Sequence, residues 1–193
     1  MKRLNPFLIL PYLLLAICLS ACDFGIGPAH PERDAPIYLK KRGYDAKLIA
    51  SDLRKENFSE ELFDRLAAEK STDVRFLIGH NPHLPARLLE KLSQDQNDFV
   101  RGGAGHSPNL TSAQIDRLFH DRSHTTRIHL AANPSITSDI LVRLHQEPNM
   151  DLVWFAMNPN CPEELKEKMR EQKDEQALYW LNVVEDGKKQ ASP

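Results

Sequence analysis

Basic clusters and aromatic residues are both scarce in this sequence. No run of Lys and Arg is long enough to neutralise a row of phosphates, and the 25 basic residues are balanced by 27 acidic ones. Aromatic residues make up 7% of the chain and do not alternate with Lys or Arg, as they would on a base-stacking surface. We therefore expect no nucleic acid partner.

The sequence also lacks a long, uninterrupted apolar run. Its most apolar stretch, PFLILPYLLLAICL at residues 6–19, is short and broken by proline, and it follows Lys2 and Arg3. This combination is typical of a secretory signal and not of a membrane-spanning helix. We therefore assign residues 1–21 to a signal peptide that is removed from the mature protein.

The signal ends in Leu19-Ser20-Ala21-Cys22, which resembles a bacterial lipobox. The resemblance implies that Cys22 is lipidated, becomes the first mature residue and is held in the membrane by its acyl chains. The alternative is a plain signal peptide cut after Ala21, which leaves Cys22 as a free thiol. Asp23 resembles the signal that retains enterobacterial lipoproteins in the inner membrane, so we expect a periplasmic, lipid-anchored protein there.

Cysteine is too rare for a disulfide framework. Once residues 1–21 are removed, Cys22 and Cys161 remain, and a lipidated Cys22 has no thiol with which to pair. Residues 22–44 are rich in glycine and proline and predict a spacer between the membrane and the domain. The fold must therefore depend on its core.

What the chain does have is an internal repeat. Prolines recur at steps of 26, 26 and 25 residues, in the pairs Asn81-Pro82, Ser107-Pro108, Asn133-Pro134 and Asn158-Pro159. Apolar residues follow each proline at a spacing of four, which places them on one helical face. The last member of each set is Leu66, Leu92, Leu118, Leu144 or Met169.

Each unit predicts a short helix, an Asn-Pro turn and a longer helix. Thr111, Thr137 and Ser59 stand where a hydroxyl can cap the longer helix, and Gln114 completes a capping box with Thr111. A unit of this size cannot bury its own apolar stripe, so neighbouring units must stack. The expected fold is an all-α solenoid of about four to five 25–26-residue repeats over residues 45–184, followed by a polar tail at 185–193.

Over residues 74–169 these units resemble the leucine-rich repeat variant family, whose repeats read approximately V-R-x-x-(A/G)-x-N-P-x-(L/I)-(P/T)-x-x-x-L-x-x-L. Weaker units lie near 45–70 and 174–184. The resemblance implies alternating α- and 3₁₀-helical segments and a role in interaction, with no shared chemistry. Some members carry an iron–sulfur cluster on a separate cysteine-rich segment. This chain has no such segment, so we expect no cofactor.

One unit departs from the pattern, at RGGAGHSPNL, residues 101–110. The register makes this run a short helix in which Gly102 and Gly103 replace large apolar residues. A phosphate-binding loop is disfavoured, because no lysine follows the last glycine. Two interpretations remain, a locally thinned repeat and a surface notch for a partner. The notch residues are Gly102, Gly103, Gly105 and His106. On either interpretation, filling Gly103 should raise stability.

Two charged positions recur through the units. One is Arg75, Arg101 and Arg127, and the other is Glu69, Asp95 and Asp121, six residues before each arginine, with Glu147 five residues before Leu152. The favoured interpretation is a structural ladder of ion pairs. An anion-binding stripe and an ordinary solvated face are the alternatives.

The eight histidines offer only weak metal ligands. His120 and His124 have the i, i+4 spacing of a helical zinc site, but no HExxH context surrounds them and His124 lies past the expected helix end. Cys161 shares the register of core residues. No arrangement of catalytic groups is evident from the spacing, so we expect no enzyme activity.

The sequence therefore favours a membrane-tethered scaffold, adaptor or accessory subunit that binds other envelope proteins. The alternatives are a metal-binding or enzymatic protein that uses the histidines, and a structural spacer. The mature part is more acidic than the whole chain, because the signal peptide removes two basic residues and no acidic ones.

Overall fold

The computed structural model describes residues 31–45 and 50–191, and these residues fold into twelve α-helices without a strand. The all-helical class expected from the sequence is confirmed. The described residues belong to two compact units, Pro28–Ser135 and Ile136–Pro193, here called the N-terminal unit and the C-terminal unit. The signal peptide, Cys22 and Asp23 lie outside the described residues.

The described residues of the N-terminal unit form eight helices. They are α1 Pro31–Lys41, α2 Ala50–Lys55, α3 Glu60–Ala67, α4 Thr72–Gly79, α5 Ala86–Leu92, α6 Asp98–Gly105, α7 Ser112–Phe119 and α8 His124–Ala131. Helix α6 lies between α4 and α8 and packs extensively against both. Helices α3, α5 and α7 each follow or precede one of these three along the chain and pack against it. The centre of the unit is therefore the row α4–α6–α8.

The predicted spacer over residues 22–44 contains a helix in its described part. Residues 31–41 form α1, whose Ala35 and Leu39 are fully buried in the core. The glycine and proline content concealed this helix: Pro31 lies at the helix start, where proline is tolerated, but Pro36 lies inside the helix. In the same way, α12 continues through residues 185–191, the described part of the predicted polar tail.

Helix α1 also satisfies a buried carboxylate. Glu69 is 7% exposed and accepts hydrogen bonds from the hydroxyls of Tyr38, at 2.9 Å, and Tyr44, at 2.6 Å. Burial alone raises the pKa of Glu69, but these hydrogen bonds and the Arg42 charge outweigh it, and the pKa lies below its usual value. Tyr38 and Tyr44, which lie in the predicted spacer, therefore pack against the core of the folded domain.

The start signals of the helices are mostly as expected. The Thr111 hydroxyl accepts from the backbone N–H of Gln114, and the two residues form the full capping box. Ser59 caps α3 by accepting from Leu62 N–H. Thr137 occupies the N-cap position of α9, but its hydroxyl makes no capping hydrogen bond. The predicted contrast between short and longer helices fails in the N-terminal unit, where α6 and α7 have eight residues each.

The asparagine before the turn proline contacts the preceding repeat. The Asn133 side-chain amide donates to the carbonyls of Gly105, at 2.6 Å, and Ser107, at 2.9 Å, while its oxygen accepts from Ser135 N–H. Asn81 makes the equivalent contacts with the end of α2 and beyond. Both side chains are fully buried. Each asparagine bonds to carbonyls 25 to 28 residues earlier in the sequence.

Four helices are present in the part of the C-terminal unit that the structure describes. They are α9 Ser138–His145, α10 Leu152–Ala156, α11 Glu163–Gln172 and α12 Glu175–Ala191. Helix α10 packs against the other three, and its Phe155 is fully buried. An ion pair between Lys166 and Glu185, at 3.1 Å, joins α11 to α12. Within the described residues, none of the helices combines the length and the apolar character needed to cross a bilayer.

Candidate functional site

The glycine-rich run forms the second half of α6. Gly102, Gly103 and Gly105 are buried, and His106, the C-cap residue of the helix, is 9% exposed. The run is therefore a helix in the middle of the α4–α6–α8 row, as the repeat register predicts, and not a loop around a phosphate.

Glycine at positions 79 and 103 allows α4 and α6 to approach with their backbones in contact. A Cβ atom on Gly103 would lie 2.8 Å from Phe76 Cα and closer still to the Phe76 carbonyl oxygen. A Cβ atom on Gly79 would lie 2.8 Å from Ala104 N. Real Cβ atoms do not come this close to backbone atoms, so both positions require glycine for this packing.

Gly102 serves the other neighbour, α8. A Cβ atom on Gly102 would lie 2.5 Å from His129 Cδ2, so the imidazole occupies the space that a larger side chain at 102 would fill. The partner-notch interpretation of Gly102, Gly103, Gly105 and His106 is therefore wrong as a description of this surface. The gap in the repeat is filled from the next helix pair, 27 residues later along the chain.

His129 belongs to a cluster of three buried histidines, one from each helix of the row. The rings of His80, the C-cap of α4, and His106 are stacked with centroids 4.6 Å apart. The His129 ring meets His106 edge-on, and His106 Nε2 lies 2.8 Å from His129 Nδ1. We call His80, His106 and His129 the histidine cluster.

All three imidazoles are neutral near pH 7. Burial lowers the pKa of His80 to about 3 and that of His129 to about 4, and it lowers the pKa of His106 well below its usual value. The Arg54 charge lowers the pKa of His80 and His106 further. Neutral rings suit this position, because they pack against the rings of Phe76 and Phe99.

The structure does not bring the predicted metal candidates together on one helix. His120 is the C-cap of α7 and lies 2.9 Å, through Nδ1, from the Asp116 carbonyl oxygen. His124 is the first residue of α8. The i, i+4 spacing therefore spans a helix–helix connection. Among the described residues, no group of three or more His, Cys, Asp or Glu side chains has an arrangement that suits a metal ion.

Within the charged ladder, Arg75 and Arg101 each pair with the carboxylate 20 residues later. Arg75 contacts Asp95 at 2.9 Å and Arg101 contacts Asp121 at 2.6 Å, both through two nitrogens. In each case Nη1 also donates to the backbone carbonyl six residues earlier, that of Glu69 or Asp95. Each arginine therefore joins its own helix to the connection before that helix and to the next connection 26 residues later.

These pairs are largely shielded from water. The side chains of Arg101 and Asp121 are 11% and 10% exposed. Burial alone raises the pKa of Asp121, but the hydrogen bonds from Arg101 and from Ser123 N–H outweigh it, and the pKa lies below its usual value. Arg127 donates through Nη1 to the Asp121 carbonyl at 2.6 Å. Glu147, the last acid of the ladder, lies in the C-terminal unit and is half-buried.

Cys161 is 6% exposed, and burial raises the pKa of its thiol to about 11. A thiol with so little thiolate at neutral pH is a weak nucleophile, which agrees with the core position that the register predicts.

Sequence analysis missed the histidine cluster. At the repeat spacing, His80 aligns with His106 and then with Ala132, whereas the third ring comes from His129, which aligns with Gly103. The sequence carried one sign of this cluster: glycine in the short helix of one repeat is followed, in the short helix of the next repeat, by a large side chain that can pack against it.

Comparison with protein-family models gave no match, and the searches of curated proteins and of solved structures gave no significant match either. The resemblance to the leucine-rich repeat variant family therefore stays a prediction from residues 74–169.

Proposed function

We propose that this protein is a lipid-anchored scaffold of the bacterial envelope, in which two-helix units stack as an α-solenoid and bind other envelope proteins. The anchor is Cys22, and Asp23 favours retention in the inner membrane. No catalytic group, cofactor or nucleic acid takes part.

The observation that carries the scaffold proposal is the recurrence of the same contacts at the repeat spacing. The Arg75–Asp95 and Arg101–Asp121 pairs lie 26 residues apart, and the links made by Asn81 and Asn133 lie 52 apart. The arginine, aspartate and asparagine side chains in these contacts join neighbouring helices and connections. Such modules grow by adding units and present an extended surface, which is the usual basis of binding by helical repeats.

The tether supports the same proposal. Helix α1 begins at Pro31, so eight residues separate it from Cys22. Eight residues reach at most about 30 Å when fully extended. A lipidated Cys22 would therefore keep the helices close to the membrane surface, where partners of an accessory subunit are found.

The Cys22→Ser variant tests the anchor. We expect it to stay folded, to take up no acyl label and to leave the membrane fraction, because its acyl chains supply the membrane affinity. Cys18→Ser is the matched control, since residue 18 lies in the signal peptide and its replacement should leave labelling and sedimentation unchanged. Persistence of Cys22→Ser in washed membranes at high salt contradicts lipidation at this residue.

Cross-linking in intact envelopes tests the scaffold proposal by comparing the wild-type chain with the Cys22→Ser variant. The wild-type chain should co-purify with a stoichiometric envelope partner, and the released Cys22→Ser chain should lose it. Recovery of the wild-type chain without any stoichiometric partner contradicts a scaffold and leaves the structural spacer.

A further inference from the structure

One of the hydrogen bonds that hold the histidine cluster requires a ring nitrogen without a proton. The His80 Nδ1 lies 2.9 Å from the Phe76 carbonyl oxygen, which can only accept, so this nitrogen carries the proton of the neutral ring. The His106 Nε2 to His129 Nδ1 contact, at 2.8 Å, needs one nitrogen with a proton and one without. If both rings are cationic, two N–H groups face each other and the bond is lost.

The surroundings disfavour positive charge on these rings. From α2, the buried Arg54 side chain adds a like charge that acts on His80 and His106. The stacked rings of His80 and His106 repel each other when both are charged, since their centroids are 4.6 Å apart. Asp98 of α6 acts in the opposite direction, on His129 alone among the three.

The packing encloses the rings between the three helices and leaves them little contact with water. His129 is enclosed against Gly102, and α4 and α6 are in backbone contact through Gly79 and Gly103. All three histidines are less than a tenth exposed. Hydration of a charged imidazole therefore requires α4, α6 and α8 to separate.

We propose that the histidine cluster is an acid-responsive latch, which holds α4, α6 and α8 together near neutral pH and releases them when the imidazoles take up protons. The latch responds to the pH outside the cell if the protein is periplasmic, but its action does not depend on the anchor.

The direction of the pH effect follows from the folded and unfolded pKa values. The folded values, about 3 for His80 and about 4 for His129, lie below the unfolded value of about 6.5. The contribution to stability is therefore complete above about pH 6.5 and declines as the pH falls toward the folded values. The unfolding constant should rise up to about tenfold per pH unit for each cluster histidine.

The test compares the full-length wild type with the double variant His106→Gln/His129→Asn. The two amides can replace the ring-to-ring hydrogen bond but do not titrate. Between pH 6 and pH 5 the unfolding constant of the variant should rise less than that of the wild type, by up to about tenfold for each histidine replaced. His83→Gln, at an exposed histidine of the same unit, is the control and should keep the wild-type pH dependence. Equal pH dependence in all three proteins overturns the latch.

Two measurements on the wild type keep the proposal testable if the double variant does not fold. At pH 5, amide protection corrected for intrinsic exchange should be lost first in α4, α6 and α8, and loss that begins elsewhere contradicts the latch. In the folded protein, NMR signals of the cluster rings should not titrate between pH 7 and pH 5.5. A cluster ring that titrates near pH 6.5 without a change in fold also contradicts it.

Discussion

Gly103 and Gly105 are two residues apart in α6 but differ in what surrounds them. The Cα of Gly103 faces the α4 backbone, with Phe76 Cα 2.8 Å from the position of a Cβ atom. At Gly105 the nearest atom is Leu130 N, at 3.5 Å, which is an ordinary van der Waals separation. The same residue type thus has a packing role at one position and none at the other.

Alanine at these two positions should therefore have opposite effects. Gly103→Ala should destabilise the N-terminal unit by about 1 to 3 kcal/mol, because α4 and α6 must move apart. Gly105→Ala should be neutral or stabilising by up to about 1 kcal/mol, through helix propensity. Chemical unfolding of the two variants measures the difference. Higher stability of Gly103→Ala would contradict the backbone contact and restore the expectation drawn from the sequence.

The error at Gly103 shows what the sequence could not provide. Alignment of the units placed glycine where neighbours carry Leu77 and His129, and a loss of side-chain volume suggested an empty space. Whether a missing side chain leaves a gap or lets two backbones approach depends on the distance between helices, and the repeat pattern does not contain that distance.

At the scale of the helix and turn, the sequence predicted where helices begin better than it predicted which residues contact one another across helices. The Thr111–Gln114 capping box depends on residues three apart and follows from local geometry alone. The Arg101 partner could not be assigned in this way, because Asp95 precedes it by six residues and Asp121 follows it by 20. Arg101 contacts both, the first through a backbone carbonyl and the second through the carboxylate.

The turn asparagines give a prediction at this scale. Asn133→Ala should cost about 1 to 3 kcal/mol of unfolding free energy, because it leaves the carbonyls of Gly105 and Ser107 without their side-chain donor in the interior. Asn109→Ala is the matched control, since its amide also donates to a carbonyl, that of Pro82, but in an exposed position. The control should change stability by less than about 0.5 kcal/mol. Equal losses in both variants would show that burial of the asparagine is not what matters.

For the whole molecule, the all-helical class was predictable, and the division into two units was not. The repeat period continues without a break from Pro134 to Pro159, yet the boundary between the units falls at Ile136. A period records that neighbouring helices resemble one another. How strongly each pair packs depends on the side chains that meet, and the glycine-mediated contacts concentrate the packing in the α4–α6–α8 row.

Leu118→Ala tests whether the buried face of α7 belongs to a core shared by neighbouring helices. The Leu118 side chain is fully buried, so its truncation should cost about 2 to 5 kcal/mol, from lost apolar burial and the cavity that remains. In a stack held together by nearest neighbours, the loss of amide protection should spread from α7 to α6 and α8. Leu165→Ala is the control, because Leu165 is equally buried in the C-terminal unit and should weaken protection there. A cost below about 1 kcal/mol for Leu118→Ala would contradict its place in a shared core, because surface substitutions give changes of that size.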